Sequence, residues 1–431
     1  MFKWGVKIVL LISIGMLPFV TIYACSMYKL TIDGKTMVGN NEDSWGMDGR
    51  IWFEKSTQNQ FGAVYVGYRR NEKPDGAMNE YGLVFDAFTM PHKSNVPDKD
   101  TTKKDFAYNH LKKIMQQCKT VDEVYIFLNN LNLHILNGSP LFNGGMLLFA
   151  DKSGKYLVIE ANKMTLGNDD TFLLANFSVA DTKDLSTIKI ERYCKGLDFL
   201  KNKKVENNLA FCTALSDTMS VHRSKIGDGT LYTTIYDIEN GLIHTYFFHD
   251  YKRRITFNLK DELAKGNHSL NFDELFPDNT NYHRFVQYKT PQNFKPFFIF
   301  ILLGGMLFFF SSIYFFIQFL KSLRHQVNFV KLGFAVLNFA LCLLSYVLIR
   351  NQSIFYFPSP YYDSHSVIAT TASYLPYLLV LIIIPLILYI FHLFRHMKWN
   401  TFARYLLLVN TLVYILFIGL SIYWKMFHFI L

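Results

Sequence analysis

Residues 25–45 read CSMYKLTIDGKTMVGNNEDSW, and the organisation of the chain unfolds from this stretch. Asp33-Gly34 is a tight-turn dipeptide between two short runs of strand-forming residues, so residues 25–31 and 35–39 are expected as strands. The stretch begins with a cysteine, and what precedes it has the order of a secretory leader. Lys3 and Lys7 give a basic start, residues 8–20 are apolar with Pro18 inside them, and Ile22-Tyr23-Ala24 ends in a small residue. That apolar run is short for a bilayer-crossing helix, which needs ~20 residues. Cleavage after Ala24 is therefore expected.

Cleavage there would leave Cys25 as the first residue, with a thiol and a free α-amine on one amino acid. The amine is a base for the thiol, and GNNEDSW (39–45) offers a carboxylate eighteen residues on at Asp43. A cysteine behind a leader has a second meaning, a lipid-modified N-terminus. Bacterial lipidation sites usually carry Leu three residues before the cysteine and a small residue two before it. Ile22 and Tyr23 stand at those positions.

Hydrophobic residues make up 50% of the chain, and its 41 Phe are weighted towards the C-terminal end. Residues 25–290 mix charged, polar and apolar positions as a globular domain does. From about residue 291 the character changes to a membrane region. Four apolar stretches, at about 296–320, 332–349, 367–394 and 405–423, are long enough to span. Lys321, Arg324 and Lys331 lie between the first two and Arg395, Lys398 and Arg404 between the last two, whereas the middle loop carries only Arg350. By the positive-inside rule the basic loops face the cytoplasm, which puts the 25–290 domain on the outer face of a bacterial cell membrane. The leader predicts the same side.

A net charge of +10 is accounted for in part by basic residues at membrane edges, and there is no basic recognition module, so nucleic acid is not an expected partner. Lys252, Arg253 and Arg254 read as a solvated turn or a surface for anionic headgroups. The five cysteines, Cys25, Cys118, Cys194, Cys212 and Cys342, have no CxxC spacing, and neither metal nor cofactor is expected. At most one disulfide is open to Cys118, Cys194 and Cys212, and the alternative of equal standing is that all three are buried and reduced.

Further strands are expected at 51–54, 63–68 and 82–89, helices at 104–117 and 121–131, and a hairpin at 146–150 and 156–161. Residues 171–178 read as a strand, 187–200 and 205–219 as helices, and 230–237 with 242–248 as a hairpin around Glu239-Asn240-Gly241. This alternation fits an α+β fold of stacked antiparallel sheets with helices on the outer faces.

Six segments in order, CSMYKLTIDGKTMVGNNEDSW, MNEYGLVFDAFTMP (78–91), LLFADKSGKYLVIEA (147–161), LLANFS (173–178), IERYCKGLDFL (190–200) and TLYTTIYDIENGLIHTYFF (230–248), resemble the choloylglycine hydrolase and penicillin V acylase family. The resemblance covers roughly residues 25–265 and leaves the membrane region unmatched. It implies an N-terminal-nucleophile (Ntn) hydrolase, an αββα sandwich that cleaves linear amides. Cys25 would be the nucleophile, activated by its own amine and passing through a thioester. Asp43 would orient that amine and thiol, Asn176 would donate to the oxyanion, and Arg192 would lie beside the nucleophile. Members usually carry Arg at the start of the RNxD run, where this chain has Asn40, so their substrate preference does not carry over.

The expected protein is a membrane-anchored cysteine amidase acting on a small, possibly lipophilic N-acyl amide in contact with membrane lipids. An acyltransferase on the same scaffold and a non-catalytic receptor or assembly module are the alternatives.

Overall fold

The computed structural model describes residues 25–70, 73–90, 100, 102–138, 144–161, 163–324, 326–363, 366–396 and 398–428. Residues 1–24, expected as a leader, lie outside them. The described residues fall into two compact units that divide between Val286 and Gln287.

The first unit contains strands β1 (Ser26–Ile32), β2 (Lys35–Asp43), β3 (Gly49–Glu54), β4 (Ala63–Tyr68), β5 (Pro74–Asn79), β6 (Val84–Met90), β7 (Lys104–Asp105), β8 (Leu131–Asn132), β9 (Gly144–Ala150), β10 (Tyr156–Glu160), β11 (Lys163–Gly167), β12 (Thr171–Leu174), β13 (Thr230–Asp237), β14 (Leu242–Phe247), β15 (Asp250–Asn258) and β16 (His268–Asn271). Six form one sheet, in the order β12-β1-β2-β13-β14-β15, and eight form a second, β11-β10-β9-β6-β5-β4-β3-β16. Within both sheets the pairs are antiparallel. The sheets face each other: Tyr68 Oη on β4 donates to Glu42 Oε1 on β2 at 2.8 Å.

Helices close the two outer faces. On the eight-stranded sheet, Leu111, Ile114 and Met115 of α1 (Asn109–Gln117) and Val121, Val124 and Leu128 of α2 (Val121–Asn129) share one buried cluster with Tyr65, Ala77, Phe85, Phe149 and Leu157. On the six-stranded sheet lie α3 (Glu191–Asn202) and α4 (Leu209–Met219). Tyr28 Oη of β1 donates to Cys212 O of α4 at 2.7 Å, and Asn41 Nδ2 of β2 donates to Ser216 O at 2.9 Å. A strand covered on both faces buries successive residues, which is why eight of the nine residues of β2 are buried. This is the expected αββα sandwich.

Some details differ from the sequence reading. The helix expected from residue 104 begins at Asn109, and the one expected from 187 begins at Glu191. Lys252, Arg253 and Arg254 are not a turn: they lie on β15, the edge strand of its sheet, all three exposed. Charge on an edge strand keeps a second chain from pairing with it. Of the two alternatives for Cys118, Cys194 and Cys212, the reduced one is found: all three are free thiols, with Cys194 only partly buried.

The second unit holds four helical segments long and apolar enough to cross a membrane: α5 (Lys295–Ser322), α6 (Phe329–Arg350), the pair α7 (Val367–Ala372) and α8 (Leu375–Arg395), and α9 (Thr401–Tyr423). The third segment is interrupted at Ser373-Tyr374, just before Pro376, whose ring nitrogen has no hydrogen to donate. Apolar residues such as Leu303, Phe310, Leu381, Ile384 and Leu412 are exposed on the helices, while polar ones turn inward. Tyr414 Oη donates to Asn338 Oδ1 at 2.9 Å, and Asn410 Nδ2 donates to Ser311 Oγ at 2.9 Å, tying α9 to α6 and α5. Such side-chain bonds hold helices together where burial of apolar surface offers no driving force.

Candidate active site

The first hairpin builds the site. Asp33 and Gly34 both have positive φ, 50° and 73°, the conformation of a two-residue turn that matches the twist of its strands. That turn fixes the register: Ile32 pairs with Lys35 and Ser26 with Asn41. One residue further along, Cys25 falls opposite Glu42. Directly opposed residues point to the same face of a sheet, and Cys25 Sγ donates to Glu42 Oε2 at 2.9 Å. The thiol is buried, with 2% of the residue exposed.

Asp43 follows on β2. Its Oδ1 accepts from Thr230 Oγ1 of β13 at 2.5 Å, while Oδ2 has no hydrogen-bond partner among the described residues. Arg192 enters from the first turn of α3. Its Nε lies 3.3 Å from Cys25 O and 3.9 Å from Asp43 Oδ2. The helix comes this close because of Gly196, one turn on: a Cβ there would stand 2.7 Å from Leu173 Cδ2 and 2.8 Å from Met219 Sδ.

Asn176 lies just beyond the end of β12, and Arg192 Nη2 donates to its Oδ1. Its Nδ2 donates to Thr89 O of β6 at 2.7 Å. The amide is thus oriented from both ends and bridges the two sheets. Cys25, Asp43, Asn176 and Arg192, four positions spread over 168 residues of sequence, therefore meet at one place.

The electrostatics of this place are those of buried acid. Burial, then the charge of Glu42, pushes the Cys25 thiol well above its usual range. Burial likewise pushes Glu42 up to about 8 and Asp75 up to about 7, and raises Asp86 strongly. Asp43 rises to about 6 because burial outweighs the opposing effects of Arg192 and Thr230. Both carboxyl oxygens of Asp86 lack hydrogen-bond partners among the described residues. In the same set, no group of three or more His, Cys, Asp or Glu side chains is arranged to hold a metal ion.

Glu42, Asp75 and Asp86 are the residues that the sequence reading passed over. For Glu42 a signal existed in the hairpin itself, since counting eight residues back from Asp33 and eight forward from Gly34 pairs 25 with 42. Asn40 is buried on the same strand, and its Oδ1 is without a partner among the described residues.

No family model matches the chain. No curated protein is similar to it in sequence. Among solved structures, the chain is similar to a variant of the conjugated bile acid hydrolase from Clostridium perfringens, at 16% identity and a TM-score of 0.46, over 57% of this chain and 96% of that one. It is similar to penicillin V acylase from Agrobacterium tumefaciens at 13% identity and a TM-score of 0.42, over 58% and 91% of the two chains. A third similar structure is the Caenorhabditis elegans ortholog of N-acylethanolamine-hydrolyzing acid amidase, at 11% identity and a TM-score of 0.34, over 50% and 92%.

Proposed function

We propose that the sandwich domain is a cysteine amidase that hydrolyses a linear N-acyl amide through a thioester on Cys25. The observation that carries this reading is the meeting of Cys25, Asp43 and Asn176, from one sheet, around Arg192 of α3. In the proposed reaction the sulfur attacks the amide carbonyl, and Asn176, its amide held by Arg192, stabilises the oxyanion. Asp43 Oδ2 is the acceptor for the α-amine of a chain that begins at Cys25. Arg192 Nε bridges that oxygen and the Cys25 carbonyl, which supports this assignment.

Two measurements test it. Purified full-length protein is offered a panel of N-acyl amides, and turnover is expected that Cys25→Ala abolishes; turnover that survives the substitution would sink the amidase. N-terminal analysis is expected to give an unmodified Cys25, and an acylated one would refute the α-amine's part.

One observation favours a second reading, a non-catalytic module. Position 40 carries no guanidinium, and burial, with the carboxyls around Cys25, raises its thiol rather than ionising it. An absence of turnover across the panel, with Cys25 left unlabelled by acyl-amide probes, is the outcome for that case. For the membrane unit we propose that the 321–331 and 395–404 loops face the cytoplasm and the sandwich domain the outside. Labelling of single cysteines placed in each loop by an impermeant maleimide tests the arrangement.

A further inference from the structure

The structure gives the Cys25 thiol a partner that the α-amine mechanism does not use. Sγ donates to Glu42 Oε2 at 2.9 Å, inside the protein and between the two sheets. The other carboxylate oxygen, Oε1, accepts from Tyr68 Oη at 2.8 Å. The carboxylate is therefore clamped, with one oxygen committed to the thiol. We propose that Glu42 is the base that takes the proton of the Cys25 thiol, a role that rests on Cys25 being the nucleophile.

In this step the S–H bond breaks and an O–H bond forms at Oε2, leaving a thiolate and a neutral carboxylic acid. The thiolate bonds to the amide carbonyl carbon. As the C–N bond breaks its electron pair goes to nitrogen, which receives the proton from Oε2. Water then adds to the thioester carbonyl, the C–S bond breaks, and the water's protons end on the sulfur and on the released acid.

The exchange requires Glu42 to be ionised, which its rise to about 8 places in the mildly alkaline range. There the pair carries one negative charge before the transfer and one after it, so no new charge is desolvated when the proton moves. An ordinary glutamate is a weaker base than a thiolate by about four pKa units, a ~10⁴-fold disadvantage. Removing the pair from water, with Asp75 and Asp43 adding to the effect, raises Glu42 and raises the thiol as well, so the transfer stays uphill and is drawn forward by the attack of the thiolate on the carbonyl carbon. The groups facing the pair are Tyr68 on β4, Asp75 on β5, Asp86 on β6, Asp43 on β2 itself, Tyr232 on β13 and Arg192 on α3. Asp86 is raised strongly by burial and then by Glu42.

The test reads the thiol directly and needs no substrate. Full-length protein in detergent is alkylated with iodoacetamide across a range of pH, and modification of the Cys25 peptide is followed by mass spectrometry. Two groups that share a proton titrate as a pair, so, beyond any step from the α-amine that both proteins share, the wild-type rate should rise in two steps and that of Glu42→Gln in one. A single wild-type step, with the Glu42→Gln step at lower pH, would make Glu42 only a charged neighbour and overturn the proposal. Two steps that persist in Glu42→Gln would overturn it as well, by assigning the second group elsewhere. If Glu42→Gln does not fold, Glu42→Asp, which withdraws the carboxylate from Sγ, takes its place and is held to the same outcomes. An inactive amide panel alongside the two-step profile would sink the amidase reading and leave the proton pair standing.

Discussion

Arg192 holds Asn176: the guanidinium Nη2 donates to the Asn176 amide oxygen, while its Nε reaches back to the main-chain carbonyl of Cys25 at 3.3 Å. One side chain thus sets both the start of β1 and the amide assigned to the oxyanion. Arg192→Lys keeps the charge and loses the planar fork. It is expected to lower kcat by about 10- to 100-fold, on the scale of a mispositioned group, with a smaller change in KM. Steady-state kinetics on an amide turned over by the wild type checks this.

Removing the proposed oxyanion donor should be more costly for the chemical step. Asn176→Ala is expected to lower kcat by about 10²- to 10³-fold. Single-turnover measurement of acyl-Cys25 formation would place that loss at the first chemical step, and a loss confined to thioester hydrolysis would argue against the role.

Stability should fall as the pH rises. Glu42, Asp43 and Asp75 reach about 8, 6 and 7 in the folded domain, against about 4 in an unfolded chain. Each contributes stability that is complete below about pH 4 and is lost as the pH climbs through its folded value, at up to about 1.4 kcal/mol for each pH unit between the unfolded and folded values. The urea midpoint of the sandwich domain is therefore expected to drop between pH 5 and pH 8, and Glu42→Gln should flatten the upper part of that slope. A midpoint that rises over this range would contradict the raised carboxyls.

Gly196→Val tests how Arg192 is positioned. The added side chain would meet Leu173 and Met219, and overpacking of this kind costs about 1–3 kcal/mol. Displacement of α3 should lower amide turnover together with thermal stability. Met219→Ala in the same chain makes room and is expected to restore part of both.

In the unit of four apolar segments, Tyr414→Phe removes the hydroxyl that donates to Asn338 Oδ1. A loss of about 0.6–2 kcal/mol is expected, read as a lower unfolding midpoint of the full chain in detergent micelles.

The layered fold was legible because its signals are local. The Asp33-Gly34 and Glu239-Asn240-Gly241 turns and the apolar periodicity of α1 and α2 mark elements within a few residues. The strand Pro74–Asn79 was not legible: its sequence, PDGAMN, has poor strand propensity, and it is held extended by β4 on one side and β6 on the other. The site divides in the same way. Cys25 and Asp43 lie on one hairpin, whereas Asn176 and Arg192 reach them through contacts that no spacing encodes and were found only through the resemblance. Glu42 was within reach of hairpin arithmetic, but a glutamate beside an aspartate in NNED reads as a turn until the pairing is drawn.

That pairing also constrains where such a chain can usefully begin. The turn measures the two arms like a folded ruler, and residue 25 is the mark that meets residue 42. A chain trimmed one residue further would start at Ser26, whose partner Asn41 looks to the helix side of the sheet. The first functional group would then sit on the wrong face. On the proposed mechanism, a protease that erred by a single bond would keep the fold and lose the chemistry, so fidelity of processing would be a condition of activity.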